Sequence, residues 1–111
     1  DIPHAQGMAI IVPKWLRYIA EKGCKEEIAE FGKAVFQVGD SPSQLQMAME
    51  TIDRLEYFLY KELSLPSDFQ TFGLTDEYFI EMAEHICCGG KITGVYNLSS
   101  DDLCEILKKC L

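Results

Sequence analysis

Two histidines and five cysteines are the side chains in this 111-residue chain best suited to hold a metal ion or attack a substrate, and their spacing limits what they can do. His4 lies in Asp1-Ile2-Pro3-His4-Ala5-Gln6-Gly7-Met8-Ala9, where the first helical pattern begins, and Pro3 suits the first position of such a helix. The partial positive charge at a helix N-terminus disfavours imidazolium, so His4 is expected to stay neutral and keep a lone pair for a metal. A lone histidine near the first residues of a chain is more often an exposed side chain than a ligand, and spacing alone favours that plainer reading. One imidazole is not a metal centre, because zinc or iron takes three or four protein ligands, so any others must lie elsewhere. The cluster of His85, Cys87 and Cys88 has the wrong spacing for a zinc knuckle, and its other reading is a helix end with buried, inert thiols.

No Gly-rich phosphate loop follows a strand, no Gly-x-Ser-x-Gly elbow is present, and the carboxylates scatter without forming an acid–base pair. Met47, Met49, Tyr57, Phe58 and Tyr60 read as core and rim rather than a binding groove. The formal charge of −8 argues against phosphate-backbone recognition, so no nucleic-acid partner is expected. The longest apolar run, residues 8–12, is too short for a bilayer, and no signal peptide is visible. An odd number of cysteines (Cys24, Cys87, Cys88, Cys104, Cys110) without a Cys-x-x-Cys pair suits reduced thiols and a cytoplasmic location. Because the chain begins with Asp1 rather than Met, something upstream is expected to be missing.

Those residues must be positioned by helices. The apolar spacing predicts an all-α bundle of about five helices, one unit with no dividing linker. Met8, Ile11, Val12, Trp15, Leu16 and Ile19 follow an i, i+3, i+4, i+7 pattern that predicts one buried stripe, ended by Gly23. Pro13 falls inside this helix and is expected to kink it, at roughly 3 kcal/mol if nothing compensates. A second helix spans about 25–37 with Ile28, Phe31 and Val35 inward. The third should start at Ser41 as N-cap, with Pro42 next and Gln44 closing a capping box. Its predicted core face is Leu45, Ile52, Leu55, Leu59 and Leu63, and Glu50 with Arg54 forms a solvated i, i+4 pair. Residues 67–74 hold one short turn anchored by Phe69 and Phe72. Thr75 caps a fourth helix with Phe79, Met82, Ala83 and Ile86 inward, ended by Gly89 and Gly90, and residues 91–98 are irregular. Ser99 caps the last helix, whose Asp101, Asp102, Lys108 and Lys109 complement its dipole and whose Leu103, Ile106, Leu107 and Cys110 face inward.

Residues 1–18, with His4-Ala5-Gln6-Gly7-Met8-Ala9 and then Pro13-Lys14-Trp15-Leu16-Arg17-Tyr18, resemble the motif of the iron-containing alcohol dehydrogenases, above all the butanol-dehydrogenase branch. That pattern is Asp-x-x-His-Gly-x-Gly-Leu-Ala followed by Pro-x-Trp-Met-x-Tyr, from which Ala5 departs by replacing glycine. Residues 31–36, Leu65-Pro66, Phe72-Gly73-Leu74 and Leu98-Ser99-Ser100-Asp101-Asp102 with Glu105-Ile106-Leu107 extend the likeness over nearly all of the chain. Residues 87–91 follow the family only loosely.

The resemblance implies the C-terminal helical domain of a dehydroquinate-synthase-like fold, with His4 as the last of four ligands, an aspartate and three histidines, to iron or zinc. It implies reversible hydride transfer between a small primary alcohol, or its aldehyde, and NAD(P)/NAD(P)H, with a metal acting as Lewis acid on the substrate oxygen. The other ligands and an α/β nucleotide-binding domain would precede Asp1, so the fragment alone should bind no cofactor and turn nothing over. It should expose an apolar surface where that domain docks, through which a homodimer could also form. The competing expectation is a free-standing acidic helical module that binds a partner protein, with no part for His4.

Overall fold

The computed structural model describes residues 3–77, 79–87 and 97–111, with the backbone alone at 4, 82 and 85–87. Every regular element among them is helical: α1 His4–Ile19, α2 Lys25–Val35, α3 Gln44–Glu56, α4 Phe79–Cys87 and α5 Ser100–Lys109. Short π-helical stretches follow α1 (Ala20–Cys24) and α3 (Tyr57–Glu62), and Phe69–Phe72 is a 3-10 turn. Residues 88–96, where the glycine stop and most of the irregular stretch were expected, lie outside the described residues. The chain divides into two compact units, one of Asp1–Ile11 with Pro66–Leu111 and one of Val12–Leu65.

In the first unit, the start of α1 joins α4, α5 and the 3-10 turn. Ile10, Phe69, Phe79, Leu107 and Cys110 form its buried core, with Ile11, Phe72, Cys104 and Leu111 packed against it. The Phe69 and Phe79 rings meet edge to face at 6.2 Å. Asp68 caps the 3-10 turn by accepting the Thr71 N–H, and Gly73 closes it at φ 74°, a conformation that favours glycine. Helix α5 starts as expected: Ser99 accepts the Asp102 N–H while the Asp102 carboxylate accepts the Ser99 N–H. Thr75 Oγ1 accepts the Glu77 N–H at 3.5 Å, but α4 itself opens later, at Phe79.

The second unit corrects the predicted core faces. Helix α2 buries Ile28, Ala29 and Gly32, whereas Phe31 and Val35 are 47% and 55% exposed. Helix α3 buries Met47, Ala48, Thr51 and Ile52, leaving Leu45 and Leu63 exposed and Leu55 and Leu59 half-buried. The reason is close approach. A Cβ built on Gly32 would lie 1.8 Å from Thr51 Oγ1, so the two helices touch through small residues and their larger side chains fall beside the contact. Thr51, almost fully buried, donates its hydroxyl to the Met47 carbonyl at 2.7 Å. Arg54 donates to the Phe36 carbonyl at 2.6 Å, tying α3 to the end of α2.

The start of α3 also differs from expectation. Ser43, not Ser41, is the N-cap, its hydroxyl accepting the Gln46 N–H, while Ser41 Oγ accepts the Ser43 N–H instead. The extended backbone at Ser43, with ψ 113°, aims its own side chain at the first free amides, so Pro42 precedes the cap rather than following it.

Helix α1 runs through the buried Pro13 without interruption until Gly23, whose φ of 121° turns the chain into α2. Its buried residues are Ala9, Ile10, Pro13, Tyr18 and Ile19. Met8 is exposed, and Ile11, Val12, Trp15 and Leu16 are only half-buried, so most of the predicted stripe is not the deepest face.

Candidate functional site

His4 is the first residue of α1. The turn that carries it is closed by the Gly7 N–H donating to the Pro3 carbonyl at 3.0 Å, which makes Pro3 the residue before the helix rather than its first residue. Its imidazole lies outside the described residues, as do the side chains of His85 and Cys87 and all of Cys88. Around His4, Pro3, Ala5 and Met8 are exposed and Gln6 and Gly7 half-buried, so the start of α1 reaches solvent before the helix enters the core at Ala9 and Ile10.

Among the described residues, no group of three or more His, Cys, Asp or Glu side chains is placed to hold a metal ion. Those residues do not by themselves fit an iron or zinc centre, and a metal touching this chain needs donors from beyond them. The described cysteines, Cys24, Cys104 and Cys110, are thiols not joined in a disulfide. Burial, and secondarily the charge of Glu27, raises the Cys24 thiol above its ordinary range, which keeps it protonated and a poor nucleophile at neutral pH. Cys110 is fully buried, its Sγ 3.3 Å from the Ile106 carbonyl and 3.8 Å from that of Ile10.

One charged cluster escaped the sequence analysis. The Arg17 guanidinium lies between Asp53 and Glu56, both at 2.5 Å, and 3.4 Å from the Met49 sulfur, while Lys14 reaches Glu56 at 3.6 Å. Burial works to lower the Arg17 pKa, but hydrogen bonds and charge from Asp53 and Glu56 outweigh it and the net shift is upward. Cations and anions satisfy one another here, so the cluster clamps α1 to α3. No local pattern announces a contact between residues 36 or 39 apart in the chain. The expected Glu50–Arg54 pair is present at 3.8 Å on the solvated face.

A hollow of about 410 Å³ lies along α4 and α5, lined by Ile80, Glu84, Asp101, Cys104, Glu105 and Lys108. Among the described residues that line it, no buried base stands beside a nucleophile. No described helix is long and apolar enough to cross a membrane.

Comparison with known proteins follows the same stretch of chain. The family described as "Fe-containing alcohol dehydrogenase family, C-terminal" matches residues 1–111. The protein named "Probable NADH-dependent butanol dehydrogenase 1" of Bacillus subtilis is 29% identical over 112 residues, covering 100% of this chain and 28% of that protein. "NADH-dependent butanol dehydrogenase B" and "NADH-dependent butanol dehydrogenase A" of Clostridium acetobutylicum are 26% and 29% identical, each over 98% of this chain and 28% of their own length. The chain thus spans a little over a quarter of the relatives it matches.

Proposed function

The chain belongs to the Fe-containing alcohol dehydrogenase family, as its C-terminal part, and from that membership we propose that it is the helical portion of a longer nicotinamide-dependent dehydrogenase interconverting primary alcohols, butanol among them, and their aldehydes by hydride transfer. The observation that carries this reading is the family match across all of residues 1–111, with His4 opening the first helix. The relatives' names favour NADH and a four-carbon alcohol. In this reading His4 contributes one ligand to an iron or zinc ion. The remaining ligands and the nucleotide-binding domain come from protein outside residues 1–111, and the chain alone has no turnover.

The exposed Phe31, Val35, Tyr57 and Leu63 support a chain that packs against more protein, another part of the same polypeptide or a second copy. Cys24, Cys104 and Cys110, none joined in a disulfide, suit a reducing cytoplasm.

The test is to express the chain with its upstream coding sequence and follow NADH formation from butanol after loading with iron or zinc, beside the same protein carrying His4→Ala. Metal-dependent turnover that the substitution lowers at least a hundredfold supports the reading, in line with the loss of a metal ligand. An extended protein inactive with every metal, or one indifferent to His4→Ala, rules it out and leaves the acidic interaction module.

A further inference from the structure

We infer that the packed cluster around Ile10 fixes the direction of the turn carrying His4, with Cys110 as its positioning residue. The inference rests on the reading of His4 as a functional side chain and adds which part of the fold aims it. His4 lies six positions before Ile10, about 9 Å of helix at roughly 1.5 Å per residue. Among the described side chains of that stretch Pro3, Ala5 and Met8 are exposed and Gln6 and Gly7 half-buried, and Ala9 and Ile10 are the first buried ones. The opening turns of α1 therefore project from an anchor at Ile10. A tilt of about 10° there displaces His4 by roughly 1.5 Å, beyond the tolerance of about 0.5 Å of a working site.

Cys110 is where three elements meet that anchor. Its sulfur lies 3.8 Å from the Ile10 carbonyl of α1 and 3.3 Å from the Ile106 carbonyl of α5, and its own carbonyl accepts the Phe69 N–H from the 3-10 turn at 2.8 Å. Ile10 and Cys110 are both fully buried, and Phe69, Phe79 and Leu107 complete the packing around them. A smaller side chain at 110 opens space directly against α1, whereas the larger, β-branched valine crowds the same contact and removes the thiol.

The experiment uses the 111-residue chain with Cys110→Ala and Cys110→Val. Amide hydrogen exchange and the ring signals of His4 are followed by NMR. Cys110→Ala is expected to speed exchange at residues 7–11 by about tenfold more than at residues 47–52 of α3, and to shift the His4 ring resonances; Cys110→Val, which crowds the same contact, should do both as well. Equal acceleration in α1 and α3, or an unmoved His4 signal in both variants, overturns the inference by making Cys110 an ordinary core residue. Should Cys110→Ala not fold, Cys110→Val alone decides by the same two readouts. A normal His4→Ala effect on turnover alongside an unmoved His4 signal sinks the positioning role and leaves the dehydrogenase reading standing. Insensitivity of the extended enzyme to His4→Ala sinks that reading, and with it the functional meaning of the positioning, whatever the exchange rates show.

Discussion

Gly32→Ala tests the close approach of α2 and α3, because helix propensity and packing pull it in opposite directions. Propensity alone favours alanine over glycine inside a helix by about 1 kcal/mol. Against it, the new methyl would sit 1.8 Å from Thr51 Oγ1, 2.9 Å from its Cβ and 3.0 Å from its Cγ2. Rotating the threonine does not relieve a clash with its own Cβ, and turning the hydroxyl away breaks its bond to the Met47 carbonyl. The helices must separate, which places the overpacking penalty near the upper end of its usual range, about 3 kcal/mol. The net is a loss of about 2 kcal/mol, or a fall in Tm of about 10 °C for a chain of this length. Thermal unfolding by circular dichroism measures it, and Thr51→Ala in the same background should restore more than half of the loss, since the two sites share one contact. A Gly32→Ala variant as stable as the parent or more so would refute the helix contact.

Other outcomes follow from single contacts. Ser99→Ala removes one arm of the capping box on α5 and should lower stability by about 1 kcal/mol in urea unfolding. Ile52→Ala, at a fully buried position, should cost about 3 to 4 kcal/mol, whereas Leu63→Ala, at a side chain 50% exposed, should cost under about 1 kcal/mol. The Cys24 thiol, raised by burial and then by Glu27, contributes stability that is present below the ordinary thiol value of about 8.5 and lost as pH climbs past it. The urea midpoint should therefore fall between pH 8 and pH 10, and by less in Cys24→Ala; an identical fall in both proteins would contradict this. At pH 8 Cys24 should react with a thiol reagent only after unfolding.

Helix α5 was legible in the sequence because its signals are local: Ser99 and Asp102 bond each other three residues apart, and its first-turn acids and last-turn lysines answer the dipole of the same helix. The turn at Phe69–Phe72 was legible for a similar reason, with Gly73 supplying the left-handed residue that ends it. The inner faces of α2 and α3 were not, because apolar periodicity ranks Phe31, Val35, Leu45 and Leu63 above Ala29, Gly32, Ala48 and Thr51. A contact between two backbones selects the small residues instead. Ser41 and Ser43 are both good caps by type, and only the backbone angles at Ser43 decide between them. His4 was singled out by its motif and by its place where a helix should begin, and α1 does open there. The Arg17 cluster depends on tertiary pairing that no spacing rule encodes.

The dehydrogenase account stands on His4, and metal analysis of the extended protein addresses it most directly. Iron and zinc per polypeptide should be near one in the parent and in His85→Ala, and fall well below that in His4→Ala while its helical circular dichroism is unchanged. Full metal occupancy in folded His4→Ala, or loss of metal only in His85→Ala, would contradict the account.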